Sequence, residues 1–303
     1  MIIHNFKLYT NKINKHILIT LDSDWHISPN GSLIKPIIVH NTIKKLNPDI
    51  RIIAGDLIDD TSTLKGINKK RLISLLEQSQ TICPTIVALG NHDISKISFI
   101  DGLKWHQDLN IDWYQEIENN TSSKLVYNNK IYEGTVYLDN KIEIICLNPP
   151  YLYYFINKES PNSFLNIYQN KNINFITDES YYHILVIHSS VAAIEVINDI
   201  PVINNADLIL SGHMHGGMVP FIARKLGKLD NTHYGIFTPN EKVLWDAKYC
   251  YGKIIKGNKT FLINPGITKL GPEKGVISNL NFIYPSEIYK IDLIPTKKRI
   301  LKK

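Results

Sequence analysis

The stretch "LILSGHMHGGMVPF", residues 208–221, sets a short aliphatic run against two histidines. The run stops at Gly212, His213 and His215 follow, and Gly216 and Gly217 come next. A short continuous apolar run is consistent with a strand buried on both faces. Two imidazoles at its end need something to bind, and the glycines leave room beside them.

The same form recurs along the chain. "HILITL" (16–21) is followed by Asp24 and His26, and "IRIIAG" (50–55) by Asp56 and Asp59. "PTIVALG" (84–90) leads into Asn91, His92 and Asp93, and "YYHILVI" (181–187) into His188. Two stretches with helical spacing, 33–47 and 67–80, separate the first three runs. Strand–helix–strand alternation predicts an α/β fold with parallel pairing and helices packed on the sheet. In such sheets the functional site lies outside the carboxyl ends of the strands. Five strand ends would then bring these side chains to one place.

Their chemistry suits metal. Imidazole, carboxylate and amide oxygen favour divalent ions such as Mn²⁺, Fe²⁺ or Zn²⁺. The set is too large for one ion. Two ions, roughly 3.5–4 Å apart, would share a bridging carboxylate and a bridging hydroxide, a pair suited to phosphate esters.

Bulk properties narrow the class. The chain has 303 residues, 44% of them hydrophobic and 20% charged, which is enough to bury a core and excludes general disorder. The net charge of +6 owes part of its value to the end "KKRILKK", so the rest is mildly basic. Cys83, Cys146 and Cys250 are odd in number and widely spaced, which implies no disulfide framework. No signal peptide and no run of 18 apolar residues is evident, so the expectation is a cytoplasmic protein without a membrane span.

Taken in order, "DSDWH", "GDLIDD", "GNHD", "HSS" and "SGHMHGG" resemble the five signature blocks of calcineurin-like metallophosphoesterases. The resemblance covers about residues 16–217, and "FLINPG" (261–266) is similar to a turn that often follows. It implies two stacked mixed β-sheets flanked by helices. It further implies that Asp24, His26, Asp56 and His215 hold one metal, and that Asp56, Asn91, His188 and His213 hold the second, with Asp56 bridging. His92 matches a histidine that is not a ligand but contacts the phosphate and can protonate the leaving oxygen. Asp59 matches an aspartate that can orient it. Where protein phosphatases of this superfamily carry arginine this chain has Asp60, and where they end a block in glutamate it has Asp93. Both differences argue against a protein phosphatase. The Gly216–Gly217 pair is closest in look to small bacterial members, although Met214 stands where many have threonine.

The remainder is read as a single domain, 1–303, with an inserted lobe at about 149–180 and a basic tail at about 295–303. Residues 124–148 look like strands joined by turns at Asn128–Asn129 and Asp139–Asn140. The aromatics of the lobe, Tyr151, Tyr153, Tyr154 and Phe155, read as a small separate core, with a stacking wall for substrate as the functional alternative. Arg224 and Lys225 could reach a phosphate; His233 and Trp245 read as packing or loop residues. Asp22 is expected to support a metal ligand, and Asp93 to cap a helix starting near Ile94, with support of a metal ligand as the alternative.

The expected function is a two-metal phosphoesterase acting on a diester, or else a monoester. A nuclease of the same superfamily is the second reading, less favoured because the basic residues are scattered. A metal-binding scaffold without turnover is the third.

Overall fold

The computed structural model describes residues 1–28, 32–59, 67–93, 125–127, 134–138, 141–149, 153–154, 159–169, 173–175, 178–218, 221–222, 250–268 and 285–296. The strands form two mixed sheets. One has five strands in the order β1 (Ile2–Thr10), β12 (Glu287–Pro295), β2 (Ile17–Asp22), β3 (Ile50–Ala54) and β4 (Thr85–Ala88). The other has seven: β10 (Gly252–Lys256), β11 (Lys259–Ile263), β9 (Leu208–Ser211), β8 (Tyr182–Ile187), β7 (Ile142–Leu147), β6 (Gly134–Leu138) and β5 (Leu125–Tyr127).

β2, β3 and β4 pair in parallel, joined by helices α1 (Ile34–Leu46) and α2 (Ile67–Ile82). β7, β8, β9 and β11 likewise pair in parallel with one another, while β6 and β10 flank them antiparallel. The expected α/β architecture of two stacked mixed sheets with flanking helices is the one observed. β1 and the C-terminal β12 lie side by side in parallel, so the first and last described strands close one sheet together.

The period-2 alternation of each strand divides its side chains between two apolar layers. Ile19, Leu21, Ile52, Ala54 and Ala88 from the first sheet meet Ile144, Cys146, Ile184, Val186 and Leu210 from the second. The alternate residues, such as Ile53, Val87, Leu185, Ile187 and Ile209, face helices and loops with Val39, Ile43, Leu72 and Ala192. Both faces are covered, which is why these strands read as unbroken apolar runs.

The second half places helices α3 (Pro161–Tyr168), α4 (Val191–Glu195) and α5 (Pro201–Asn205) among the described residues. α3 falls in the segment read above as an inserted lobe. Its start carries a clear signal, since the Ser160 side chain accepts from Ser163 N and Pro161 occupies the first turn. Tyr153, Tyr154, Phe164 and Tyr168 join the same cluster as Leu147 and Ile187, so they extend the main core and do not form a separate one. Tyr151 and Phe155, both turns proposed within 124–148, and residues 297–303 of the tail lie outside the described residues.

Asp22 does not support the metal-type cluster directly. It accepts two bonds from the buried Arg51 guanidinium, 3.1 and 2.8 Å, and one from Trp25 Nε1. Arg51 also donates to Ser79 Oγ of α2 at 2.6 Å. This satisfied pair ties β2 and β3 to the helix behind them, and removing one partner alone would cost about 3–5 kcal/mol. The three cysteines are buried free thiols. Among the described residues no helix is long and apolar enough to cross a membrane.

Candidate metal centre

The carboxyl ends of β2, β3 and β4 from one sheet, and of β8 and β9 from the other, meet at one rim. Asp24 and His26, Asp56 and Asp59, Asn91 and His92, His188, and His213 and His215 all lie there. Backbone bonds set the first two loops against each other: Asp24 N donates to Gly55 O, and His26 N to Asp56 O. Asn264 of the "NPG" turn links both sheets. Its amide donates to Leu21 O and Glu287 O, and its backbone N–H to Ser211 O.

Three groups of side chains each offer one ligand atom within 4.8 Å of the others: Asp24, His26 and His215; Asp56, His188 and His213; and His26, Asp56 and His92. Asn91 Oδ1 stands 3.1 Å from His188 Nε2. Asp56 belongs to two of the groups and sits between their histidines. Its Oδ2 is 3.2 Å from His188 Nε2 and 3.6 Å from His26 Nε2.

The tautomers fit a pair of ions. His188 Nδ1 donates to Ala54 O at 2.6 Å, and His215 Nδ1 to Thr268 O at 2.8 Å, leaving each Nε2 as the lone-pair nitrogen. His26 Nε2 faces His215 Nε2 at 3.3 Å, and His213 Nδ1 faces His188 Nε2 at 3.1 Å. Nitrogens brought together this way, with the opposite ring atoms of His188, His213 and His215 tied to acceptors, have the arrangement of metal ligands. Asp24 Oδ1, Asp56 Oδ2 and Asp59 Oδ1 are buried with no hydrogen-bond donor, a costly state for a carboxylate unless a cation is bound. The donor set of imidazoles, carboxylates and an amide oxygen therefore suits divalent ions.

Protonation follows the same geometry. Burial would raise the Asp56 acid, but His188, His26 and His92 hold it well below the ordinary carboxylate range. Burial pulls His188 down, yet Asp56 above all raises it to about 10. Without metal that pair is ionised, so an ion bound there must expel the His188 proton. His215 is lowered to about 3, chiefly by burial. It is thus a neutral imidazole, as a ligand requires.

The local backbone is strained around this cluster. Of eight described non-glycine residues with positive φ, five are Asp24 (55°), His26 (47°), Asp56 (54°), His213 (69°) and His215 (45°). Each such residue costs on the order of 1–3 kcal/mol unless its surroundings enforce it. Glycines make the approach possible. A Cβ on Gly90 would lie 2.1 Å from Asp56 Oδ1, and one on Gly55 would lie 2.5 Å from His188 Nδ1. Gly90→Ala should therefore displace the Asp56 carboxylate. Metal analysis of the purified variant should find less than the wild-type content, and normal content would show that the loop yields freely.

Asp93 and Asp59 brace the loops that carry the cluster. The Asp93 carboxylate accepts from Gly90 N, Asp56 N and Ile58 N at 2.8, 2.9 and 3.1 Å. It thereby clamps the β3 and β4 loops together; residues 94–124, where a capped helix was expected, lie outside the described residues. Burial and the nearby Asp56 charge raise Asp93 to about 7, against those donors. Asp59 holds His92 through its backbone: His92 Nδ1 donates to Asp59 O at 2.8 Å. The Asp59 carboxylate lies 4.0 Å from that nitrogen and 3.7 Å from His26 Nδ1. Asp60, Arg224, Lys225, His233 and Trp245 lie outside the described residues.

Glu159 was not foreseen. It reaches the cluster from the 149–180 segment, and its Oε1 lies 2.7 Å from His213 Nε2. In the sequence it is one acid in "NKESPN", with no periodicity or spacing to mark it.

Two mixed sheets with an Asp/His/Asn cluster at their shared rim define a metallophosphoesterase-type sandwich. The chain belongs to the calcineurin-like phosphoesterases, whose family model matches residues 17–217. These are hydrolases of phosphoric esters. "Putative phosphoesterase 244L" of Invertebrate iridescent virus 6 is 29% identical over 116 residues, 34% of this chain and 41% of that one. The match thus spans less than half the length of that curated relative. A dimetal phosphatase from Danio rerio aligns at a TM-score of 0.41 and 10% identity, covering 82% of this chain and 87% of that one. The inner membrane complex anchor GAP50 of Plasmodium aligns at 0.43 and 13%, covering 91% and 80%.

Proposed function

We propose that this chain is a two-metal phosphoesterase that hydrolyses phosphodiesters. The observation that carries the reading is the convergence of His26, His188, His213 and His215 on Asp24 and Asp56. Asp24, His26, Asp56 and His215 would hold one ion, and Asp56, Asn91, His188 and His213 the other. When bound, two such ions lower the pKa of a shared water toward neutrality and neutralise charge on phosphoryl oxygens.

The chain's own groups do the rest. Asp56 is fixed by the His92 backbone N–H at 2.8 Å, so the carboxylate and the general acid move as one unit. His92, with Nδ1–H committed to the Asp59 carbonyl, would in its imidazolium form carry the transferable proton on Nε2, where it can reach a leaving oxygen. Its side chain is about one third exposed at 32%, as a group meeting substrate must be, while that of His26 is 2% exposed.

Diesters are favoured over monoesters on charge. Asp60, an acid, stands where protein phosphatases of this superfamily, which act on monoesters, carry arginine. The deciding measurement is kcat/KM for bis-(p-nitrophenyl) phosphate and p-nitrophenyl phosphate, with the protein loaded in turn with Mn²⁺, Fe²⁺ and Zn²⁺. The diester should be preferred with at least one ion. A monoester preference would overturn the diester assignment, and no turnover with any ion, DNA and RNA included, would leave a scaffold.

A further inference from the structure

We propose that Glu159 is a positioning residue for the second metal site, acting through His213. This rests on the two-metal reading above. Glu159 Oε1 lies 2.7 Å from His213 Nε2, and its Oε2 accepts from Ser189 Oγ. Both carboxylate oxygens are therefore engaged. The backbone is equally committed: Glu159 has φ 54°, and its N–H donates to Tyr153 O at 2.9 Å. The side chain of Glu159 is 14% exposed and that of His213 19%.

The consequence concerns which His213 nitrogen faces the cluster. A carboxylate can only accept, so Nε2 carries the proton and Nδ1 carries the lone pair. That Nδ1 is the atom facing His188 Nε2 at 3.1 Å. His188 and His215 are set the same way by backbone carbonyls, which are weaker acceptors. A carboxylate partner raises the basicity of the opposite nitrogen more than a carbonyl does, and losing such a partner typically costs 10–100-fold in metal affinity. Glu159 is delivered by the segment 149–180, between β7 and β8. That segment thus reaches a metal-type side chain as well as the aromatic core, with the Tyr154 ring 6.0 Å from the His213 ring.

The test is Mn²⁺ binding to the full chain, by chelator competition and by electron paramagnetic resonance. Wild type should bind two ions and show the signal of a coupled pair. Glu159→Ala should lose affinity for one ion by about 10–100-fold and convert the coupled signal to that of isolated Mn²⁺. Glu159→Gln, which keeps the shape and a neutral acceptor, should fall between the two and serves as the reference if the alanine variant does not fold. Two ions bound as tightly in either folded variant as in wild type would overturn the proposal. So would parallel loss of both ions with a lowered melting temperature, which would make Glu159 a fold residue. A wild type that binds no ion pair would instead bring down the two-metal reading, and this inference with it.

Discussion

Asp56→Ala should strip at least one ion from the purified protein and abolish nearly all turnover. Asp56 is the carboxylate shared by two groups of ligand-type side chains, and its Oδ2 lies between His188 and His26. Removing one fixed hydrogen-bond donor at an active site costs roughly 10²–10³-fold in kcat, and the loss of an ion should exceed that. The same change removes the counterion that keeps His188 protonated without metal and the acceptor of the His92 N–H. Asp56→Asn is the control for folding, because it keeps an acceptor in place at the cost of the charge. Metal content by mass spectrometry, with activity on the chromogenic diester, decides the matter. Two tightly held ions with normal rates would remove Asp56 as the bridge.

His92→Gln should keep both ions and still lose rate. The substitution leaves the backbone N–H that fixes Asp56, while removing the ring that donates to the Asp59 carbonyl. General acid catalysis is worth about 10²–10⁴-fold, and the loss should track the leaving group. Alkoxide leaving groups, which need a proton, should suffer most, and nitrophenolate, which does not, least. An equal loss across leaving groups would reassign His92 to phosphate contact. Loss of an ion would make it a ligand, which its place in one of the three groups keeps open to experiment.

Much of the fold was legible because both faces of the central strands are buried. β2, β3, β4, β8 and β9 appear as apolar runs, each ended by a polar turn that carries metal-type residues. β1 was not legible. In "IIHNFKLYT" the apolar positions alternate with polar ones on an edge strand, and its partner β12 lies at the other end of the chain. The short helix α3 was missed because eight residues are too few for a periodic signal, although Ser160 and Pro161 mark its start.

By itself, the sequence determined the donor chemistry and its order: which side chains could bind metal, at which strand ends, and with which glycines beside them. These are local properties, set by residue type and by the period of burial. Tertiary structure alone decided the rest, because each remaining feature depends on contacts between residues far apart in the chain. The five strand ends come from two sheets, and the rim forms only where the sheets stack. Asp22 turned out to serve Arg51 and Trp25, because the outer face of β3 packs against α2. Asp59 presents its carbonyl to His92 while its carboxylate lies nearer His26, a choice made by backbone torsions that side-chain spacing does not encode. Glu159 meets His213 across 54 positions of chain, through a turn in the left-handed region. No local pattern specifies that contact, since both residues are held by the packing of the segment that brings them together.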